Sequence, residues 1–190
     1  AVERREAVTV YGDYDVDGTT SVAMMYQFLR SRIKNLDYYI PDRYSEGYGI
    51  SKTSILFAAE QKITLVVVLD CGIKAVEKIK MAKDLGIDFI ICDHHLPDEE
   101  VPEAVAILNA KQKDCAYPFK ELCGCGVGLK LMQAMCTRLQ LPDEKWMRYL
   151  DLVATAIAAD IVPMVDENRI LTYFGLQQVN NHPSTGIQAL

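Results

Sequence analysis

Ile63-Thr64-Leu65-Val66-Val67-Val68-Leu69-Asp70 is the stretch that decides the fold. It is β-branched and apolar, and it ends on an acid. A strand with no polar alternation has no solvent face, so it belongs inside a parallel sheet covered by helices on both sides. The chain around it supplies the rest of such a sheet. Upstream, Ala7 to Tyr11 reads as a short buried strand. Thr19 or Thr20 is expected to cap a helix carrying Val22, Met25, Tyr26 and Leu29 on one face. Leu36 to Ile40 follows as a strand stopped by Pro41, and Ser51 starts a helix running to about Gln61. Downstream, Ile73 to Leu85 reads as a helix closed by Gly86, Ile87 to Cys92 as a fourth strand and Ala104 to Leu108 as a fifth. This is the α/β pattern: a Rossmann-like parallel sheet of about five strands flanked by helices, over residues 1–110. Residues 111–190 are mainly helical, with helices over Val127 to Leu139, Glu144 to Ala159 and Asn168 to Val179, and with Pro142 and Pro163 as breaks. The N-terminus enters the first strand almost at once and the last residues stop in mid-pattern, so a fragment of a longer protein is expected.

Composition narrows the function. Half of the 190 residues are hydrophobic, enough for one domain with a sizeable core. No apolar run reaches about 18 residues and no signal peptide opens the chain, so neither a membrane span nor export is expected. The six cysteines are then expected as reduced thiols of a cytoplasmic protein. Cys123-Gly124-Cys125 lacks the two-residue gap of a structural zinc site. The formal net charge of −6 counts against a broad nucleic-acid surface, unless the acids are gathered in a metal site. Lys74, Lys78, Lys80 and Lys83 on one helix read as a solvated face.

The acids are indeed placed unusually. Val8 to Asp13, Leu65 to Asp70, Phe89 to Asp93 and Ala154 to Asp160 are apolar runs that each end in aspartate, and His94 and His95 follow the third. In doubly wound sheets ligands sit outside the carboxyl ends of the strands. Asp15, Asp17, Asp70, His94 and Asp160 are therefore read as one cluster. Four carboxylates in one cleft repel, and two divalent cations remove the conflict. Carboxylates with one imidazole suit manganese or magnesium better than zinc. Such ion pairs, roughly 3.5–4 Å apart, serve in-line displacement at phosphorus. Asp15 and Asp17 would each offer a carboxylate to one ion, Asp70 would bridge, and His94 would be the imidazole ligand. His95 is left free to bond the scissile phosphate or protonate the leaving oxygen, with Asp93 orienting a histidine. Asp13 is open between turn residue, helix-side cap and extra ligand.

Plainer roles stand beside these. Asp13-Tyr14-Asp15-Val16-Asp17-Gly18 resembles the start of a calcium loop, but a strand precedes it and Met24 stands where that loop needs Glu. Asp70 could merely cap the next helix, and Asp160 could be a helix-end acid. Gly124-Cys125-Gly126-Val127-Gly128 opens a helix, either to hold phosphate on its backbone donors or to pack closely. Arg43, Lys130 and Arg169 are candidate phosphate contacts.

Together, Asp13 to Gly18, Leu69-Asp70-Cys71-Gly72, Asp93-His94-His95-Leu96-Pro97 and Ala159-Asp160-Ile161-Val162-Pro163 resemble the four motifs of the DHH phosphoesterases. Their order and context are similar to the branch of that family that degrades single-stranded DNA. Glu46 to Ile50, Gly126 to Leu131 and Glu167-Asn168-Arg169 are similar to further segments of that branch, and the likeness covers nearly the whole chain. The resemblance implies a DHH catalytic domain spanning residues 1–190, two manganese or magnesium ions, and hydrolysis of single-stranded DNA from its 5′ end into mononucleotides. It implies a role in repair and recombination, with single-stranded DNA and other repair proteins as partners. Carried over by residue, it implies Asp15, Asp17, Asp70, His94 and Asp160 as metal ligands and His95 as the histidine facing the phosphate. The wider superfamily has a metal-binding histidine where this chain has Tyr11, as the single-strand branch also lacks it; this leaves one ion short of a ligand. Two other functions are weighed: a DHH hydrolase of short oligonucleotides, cyclic dinucleotides or pyrophosphate, and a non-catalytic DHH scaffold.

Overall fold

The computed structural model describes residues 1–190. Strands β1 (Val8–Gly12), β2 (Leu36–Tyr39), β3 (Leu65–Leu69), β4 (Asp88–Cys92) and β5 (Ala106–Leu108) form one sheet in the order β2-β1-β3-β4-β5, with every neighbouring pair parallel. β3 lies between β1 and β4, with Val67 in register with Val10 and Ile90. Its unbroken apolar run follows from that place. Val67 and Leu69 join Val8 and Val10 in the core on one face, and Val66 and Val68 join Tyr11 and Ile91 on the other.

Helices cover both faces. The first is packed by α1 (Val16–Leu29), α4 (Gly124–Arg138) and α6 (Leu150–Ala159), whose Met24, Met25, Leu129, Met132, Val153 and Ile157 are fully buried. The second is packed by α2 (Lys52–Glu60) and α3 (Val76–Asp84) through Ile55, Ala58, Ile79 and Ala82. Each such buried side chain contributes roughly 1.5–3 kcal/mol. The sheet and helical parts therefore share one core, since α4 and α6 complete the first layer. The remaining helices are α5 (Glu144–Met147), α7 (Asp166–Asn181) and α8 (Thr185–Ala189).

Besides an earlier start of α4, at Gly124, and longer ends of α7, three departures from the sequence reading have an identifiable cause. α1 starts at Val16, so neither Thr19 nor Thr20 caps it. Asp15 does, with extended backbone and Oδ1 accepting from the Gly18 amide at 2.9 Å. α3 starts at Val76 rather than Ile73, because Ile73 and Lys74 form a separate turn, closed by the Ala75 amide on the Gly72 carbonyl at 3.0 Å, and Ala75 itself is not helical (φ −89°, ψ 42°); the Ile73 amide donates to Asp93 Oδ2 at 2.9 Å. The single helix expected over Glu144 to Ala159 is two, broken at Tyr149 (φ −104°, ψ 6°), whose ring is buried in the core.

The chain leaves β1 toward β2 on one side and returns to β3 on the other. The loops after β1 and β3 therefore diverge across a crevice, the place where such sheets bind ligands.

Candidate metal centre

The loop after β1 is tight because Gly12 and Gly18 have no side chains. A Cβ on Gly18 would fall 2.3 Å from the Asp13 carbonyl oxygen. The early helix start then sends the two acids of Asp15-Val16-Asp17 in different directions. Asp15 stays exposed as the cap, while Asp17, in the first turn, is buried. The Asp17 carboxylate accepts from the amides of Gly124 (Oδ2) and Cys125 (Oδ1, 2.7 Å) at the start of α4. A helix N-terminus favours an anion. The glycine-rich opening of α4 thus serves close packing and holds a carboxylate of the protein itself. A Cβ on Gly124 would lie 2.5 Å from Asp70 Cβ and Oδ1.

Asp70 follows β3 in the left-handed region, at φ 64°, and is buried with Oδ1 lacking any hydrogen-bond partner. Asp160 ends α6, so the fourth acid comes from a helix and not from a strand. β4 contributes Asp93, His94 and His95. His94 Nε2 lies 3.3 Å from Asp70 Oδ1, 3.7 Å from Asp160 Oδ2 and 3.9 Å from Asp17 Oδ2, and neither ring nitrogen is hydrogen-bonded. His95 is anchored at both ends: Nδ1 lies 2.7 Å from Asp93 Oδ1, and Nε2 lies 3.0 Å from the Tyr48 hydroxyl. The Asp93 carboxylate also accepts from the amides of Ile73, His94 and His95. It is 1% exposed, turned inward against these donors.

The electrostatics follow from this crowding. Burial, then the charges of Asp17 and Asp15, push the Asp70 carboxyl up to about 11. Burial raises Asp160 too, with Asp17 adding to it against the pull of His94. Burial, as the largest cause, raises Asp13. Burial lowers His94, against the attraction of Asp17. For Asp93 burial works upward, but the His95 ring and the Ile73 amide outweigh it and hold the group below its ordinary value. The same contact raises His95, against burial. None of Asp17, Asp70 or Asp160 pairs with a lysine or arginine; the ring that faces all three is His94.

The residues therefore fit divalent cations. Asp17, His94 and Asp160 present donor atoms within 4.8 Å of one another, and so do Asp70, His94 and His95. Asp13 is fully buried, and neither carboxylate oxygen has a hydrogen-bond partner. Tyr11 offers nothing to this side, since its hydroxyl donates to the Gly49 carbonyl at 2.8 Å and its ring stacks on Tyr39.

A model of the DHH family, N-terminal domain, matches residues 7–157. The chain belongs to the DHH family. The single-stranded-DNA-specific exonuclease RecJ of Bacillus subtilis (strain 168) is 43% identical over 190 residues, which is 100% of this chain and 23% of that protein. RecJ of Escherichia coli (strain K12) is 38% identical over 196 positions, covering 96% of this chain and 34% of that protein. The DHH chain thus spans about a third or less of the length of these relatives. The crystal structure of exonuclease RecJ bound to manganese matches with a TM-score of 0.86 and 29% identity, over 99% of this chain and 48% of that one.

None of the three candidate phosphate contacts forms an ion pair with Asp17, Asp70 or Asp160. Lys130 donates to Glu167 Oε1 at 2.9 Å, and the Tyr117 hydroxyl binds the same carboxylate. Arg43 is exposed, over the Tyr14 ring at 5.3 Å, and Arg169 is exposed on α7. In the Glu167-Asn168-Arg169 segment the buried residue is Asn168, whose Nδ2 donates to Glu121 O and Pro163 O and so ties α7 to the loop after Asp160. The sequence offers the backbone donors of Gly124 and Cys125, but not Asp17 as the anion they hold. Tyr48 is the site group it does not single out, although its aromatic ring stands between two glycines in a polar loop.

Proposed function

We propose that this DHH chain is the metal-binding catalytic domain of a phosphodiesterase that acts on single-stranded DNA, a 5′→3′ exonuclease releasing mononucleotides. One observation carries the reading. Two buried carboxylates, Asp17 and Asp70, and the partly buried Asp160, from three separate segments, meet the unpartnered His94 ring with no lysine or arginine to neutralise them. The substrate and polarity rest on the likeness to RecJ, as do a role in DNA repair and recombination, a cytoplasmic setting and other repair proteins as partners. No helix is long and apolar enough to cross a membrane.

Asp17, Asp70, His94 and Asp160, with Asp15 and Asp13 beside them, would hold two divalent cations, manganese or magnesium. Those ions would supply Lewis-acid polarisation of the phosphoryl group and of an attacking water. The chain does the rest. The α4 amides fix the Asp17 carboxylate, so its orientation needs no adjustment when an ion arrives. Asp93 fixes the His95 ring by Nδ1 and leaves Nε2 directed away from Asp93. From there His95 can bond a phosphate oxygen or give its proton to the leaving oxygen. The hydrogen bond to Asp93 raises the ring above its ordinary value, against burial, and so favours its holding that proton.

The test is release of nucleotides from 5′-labelled single-stranded DNA by the intact protein with manganese. Duplex DNA and 3′-labelled strands serve as comparisons. Turnover that survives Asp70→Ala would sink the mechanism. The acidic charge of −6 favours a second reading, hydrolysis of short oligonucleotides, cyclic dinucleotides or pyrophosphate, which the same assay separates by substrate length. A scaffold without activity would bind no manganese in calorimetry.

A further inference from the structure

A cavity of about 490 Å³ opens beside His95, on the side where the Tyr48 loop meets the start of α3. None of Asp17, Asp70, His94 or Asp160 lines it, whereas His95 and Asp93 do. His95 therefore stands between the acids and this space. The floor is apolar: Ile50 and Ile73 are buried, and Gly72 keeps it open. Gly72 sits at φ 106°, and a Cβ there would come within 3.3 Å of Ile50 Cδ1 and Val68 Cγ1. The rim is aromatic and cationic, made by Tyr48, Lys74 and Lys78.

The four lysines of this region are thus not one solvated face. Lys83 pairs with Glu103 away from the cavity, while Lys74 and Lys78 line it. Lys78 makes no ion pair. Lys74 pairs with Asp98 at 3.0 Å, both side chains more than half exposed. An exposed pair of that kind contributes little, so an incoming anion can replace Asp98. Tyr48 is 54% exposed, with its hydroxyl on His95 Nε2, the nitrogen assigned above to the phosphate. Gly47 and Gly49 on either side have positive φ, 77° and 72°, with nothing within 4 Å of a would-be Cβ.

We infer that this cavity is a subsite for one nucleotide unit of the strand, the one joined to the phosphate that His95 contacts. The base stacks at Tyr48 over the apolar floor, and the next phosphate along lies between Lys74 and Lys78. The volume is in the range that holds one small ligand. An apolar floor under a cationic rim fits a group with a flat ring at one end and an anion at the other. Aromatic stacking also accepts every base, so the subsite adds affinity without sequence preference. This inference rests on the phosphodiesterase reading of the acids.

The two are separated by substrate. With manganese and the intact protein, bis(p-nitrophenyl) phosphate has a scissile diester and flat rings but no further phosphate, so it reports the acids and His95 without the lysine pair. A single-stranded oligonucleotide reports the subsite as well. Lys74→Ala/Lys78→Ala and Tyr48→Ala each raise KM for the oligonucleotide about tenfold or more, by more than any fall in kcat. Lys74→Arg/Lys78→Arg and Tyr48→Phe recover most of that loss. The three side chains are exposed, so the variants fold. Unchanged oligonucleotide KM in both alanine variants overturns the subsite while the metal-centre reading stands. No turnover of either substrate by the wild type removes that reading and the subsite with it.

Discussion

His94 Nε2 and Asp70 Oδ1 lie 3.3 Å apart, yet no hydrogen bond joins them, and both atoms are buried without a partner. Two buried polar groups left like this are costly, about 1–3 kcal/mol each. A cation between them and their neighbours converts that cost into affinity. Asp70→Ala should therefore abolish manganese binding in calorimetry and lower turnover by more than about 100-fold, since even partners one layer further out cost about 10–100-fold. Retained stoichiometric binding would show that the acids do not hold the ions.

The same carboxyl makes stability depend on pH when no metal is present. Its folded value, about 11, lies above its ordinary one of 3.8. Its stabilising contribution is full below pH 3.8 and is progressively lost as pH rises toward the folded value. Asp70→Asn removes this titration and leaves the other groups in place. In EDTA, the unfolding free energy of Asp70→Asn minus that of the wild type should grow between pH 5 and 8, by up to about 1.4 kcal/mol per unit. Denaturant titrations across that window check it, and a flat difference would refute it. Adding manganese to the wild type should stabilise it more at pH 8 than at pH 5, because the ligands must be ionised.

Gly124 stands where a Cβ would meet Asp70 at 2.5 Å, and its amide binds Asp17. Gly124→Ala should push the start of α4 away from both acids. A loss of about 1–3 kcal/mol in stability is expected, the usual cost of overpacking, with weaker manganese binding alongside. Thermal unfolding and calorimetry on one sample measure the two effects. Gly128→Ala, which presses only on Leu69 and Met24, should cost stability and spare the metal.

His95 and Asp93 should behave as one unit. His95→Ala is expected to lower kcat about 10²–10⁴-fold, the range for a lost general acid. Asp93→Asn lowers kcat through the same ring, so the double variant should lose much less than the product of the two. Single-turnover rates with saturating manganese give the comparison. Multiplicative losses would mean that Asp93 acts independently of His95.

Much of this protein was legible in residue order. Leu65 to Leu69 is apolar at every position because β3 is buried on both faces, and a parallel interior strand is the arrangement that does this. The aspartates at the ends of β1 and β3 followed from the rule that crevices open there, and Ser51 capped its helix as its residue type dictates. Boundaries were less legible where a distant atom decides them. Ile73 looks helical by pattern, but it sits in a turn before the helix, and its amide is held by Asp93, twenty residues away in sequence.

By itself, the sequence determined the layered α/β architecture and which acids and histidines stand at its open end, since apolar periodicity and strand-end residue types are local properties. Only the tertiary structure decided that Asp15 faces solvent while Asp17 turns inward onto the Gly124 and Cys125 amides. It also decided that Asp160, at the helix end, comes to face His94 and that Tyr48 reaches His95. Those relationships join segments 47 to 108 residues apart. No local preference encodes them, because they exist only once both cores have closed on the sheet.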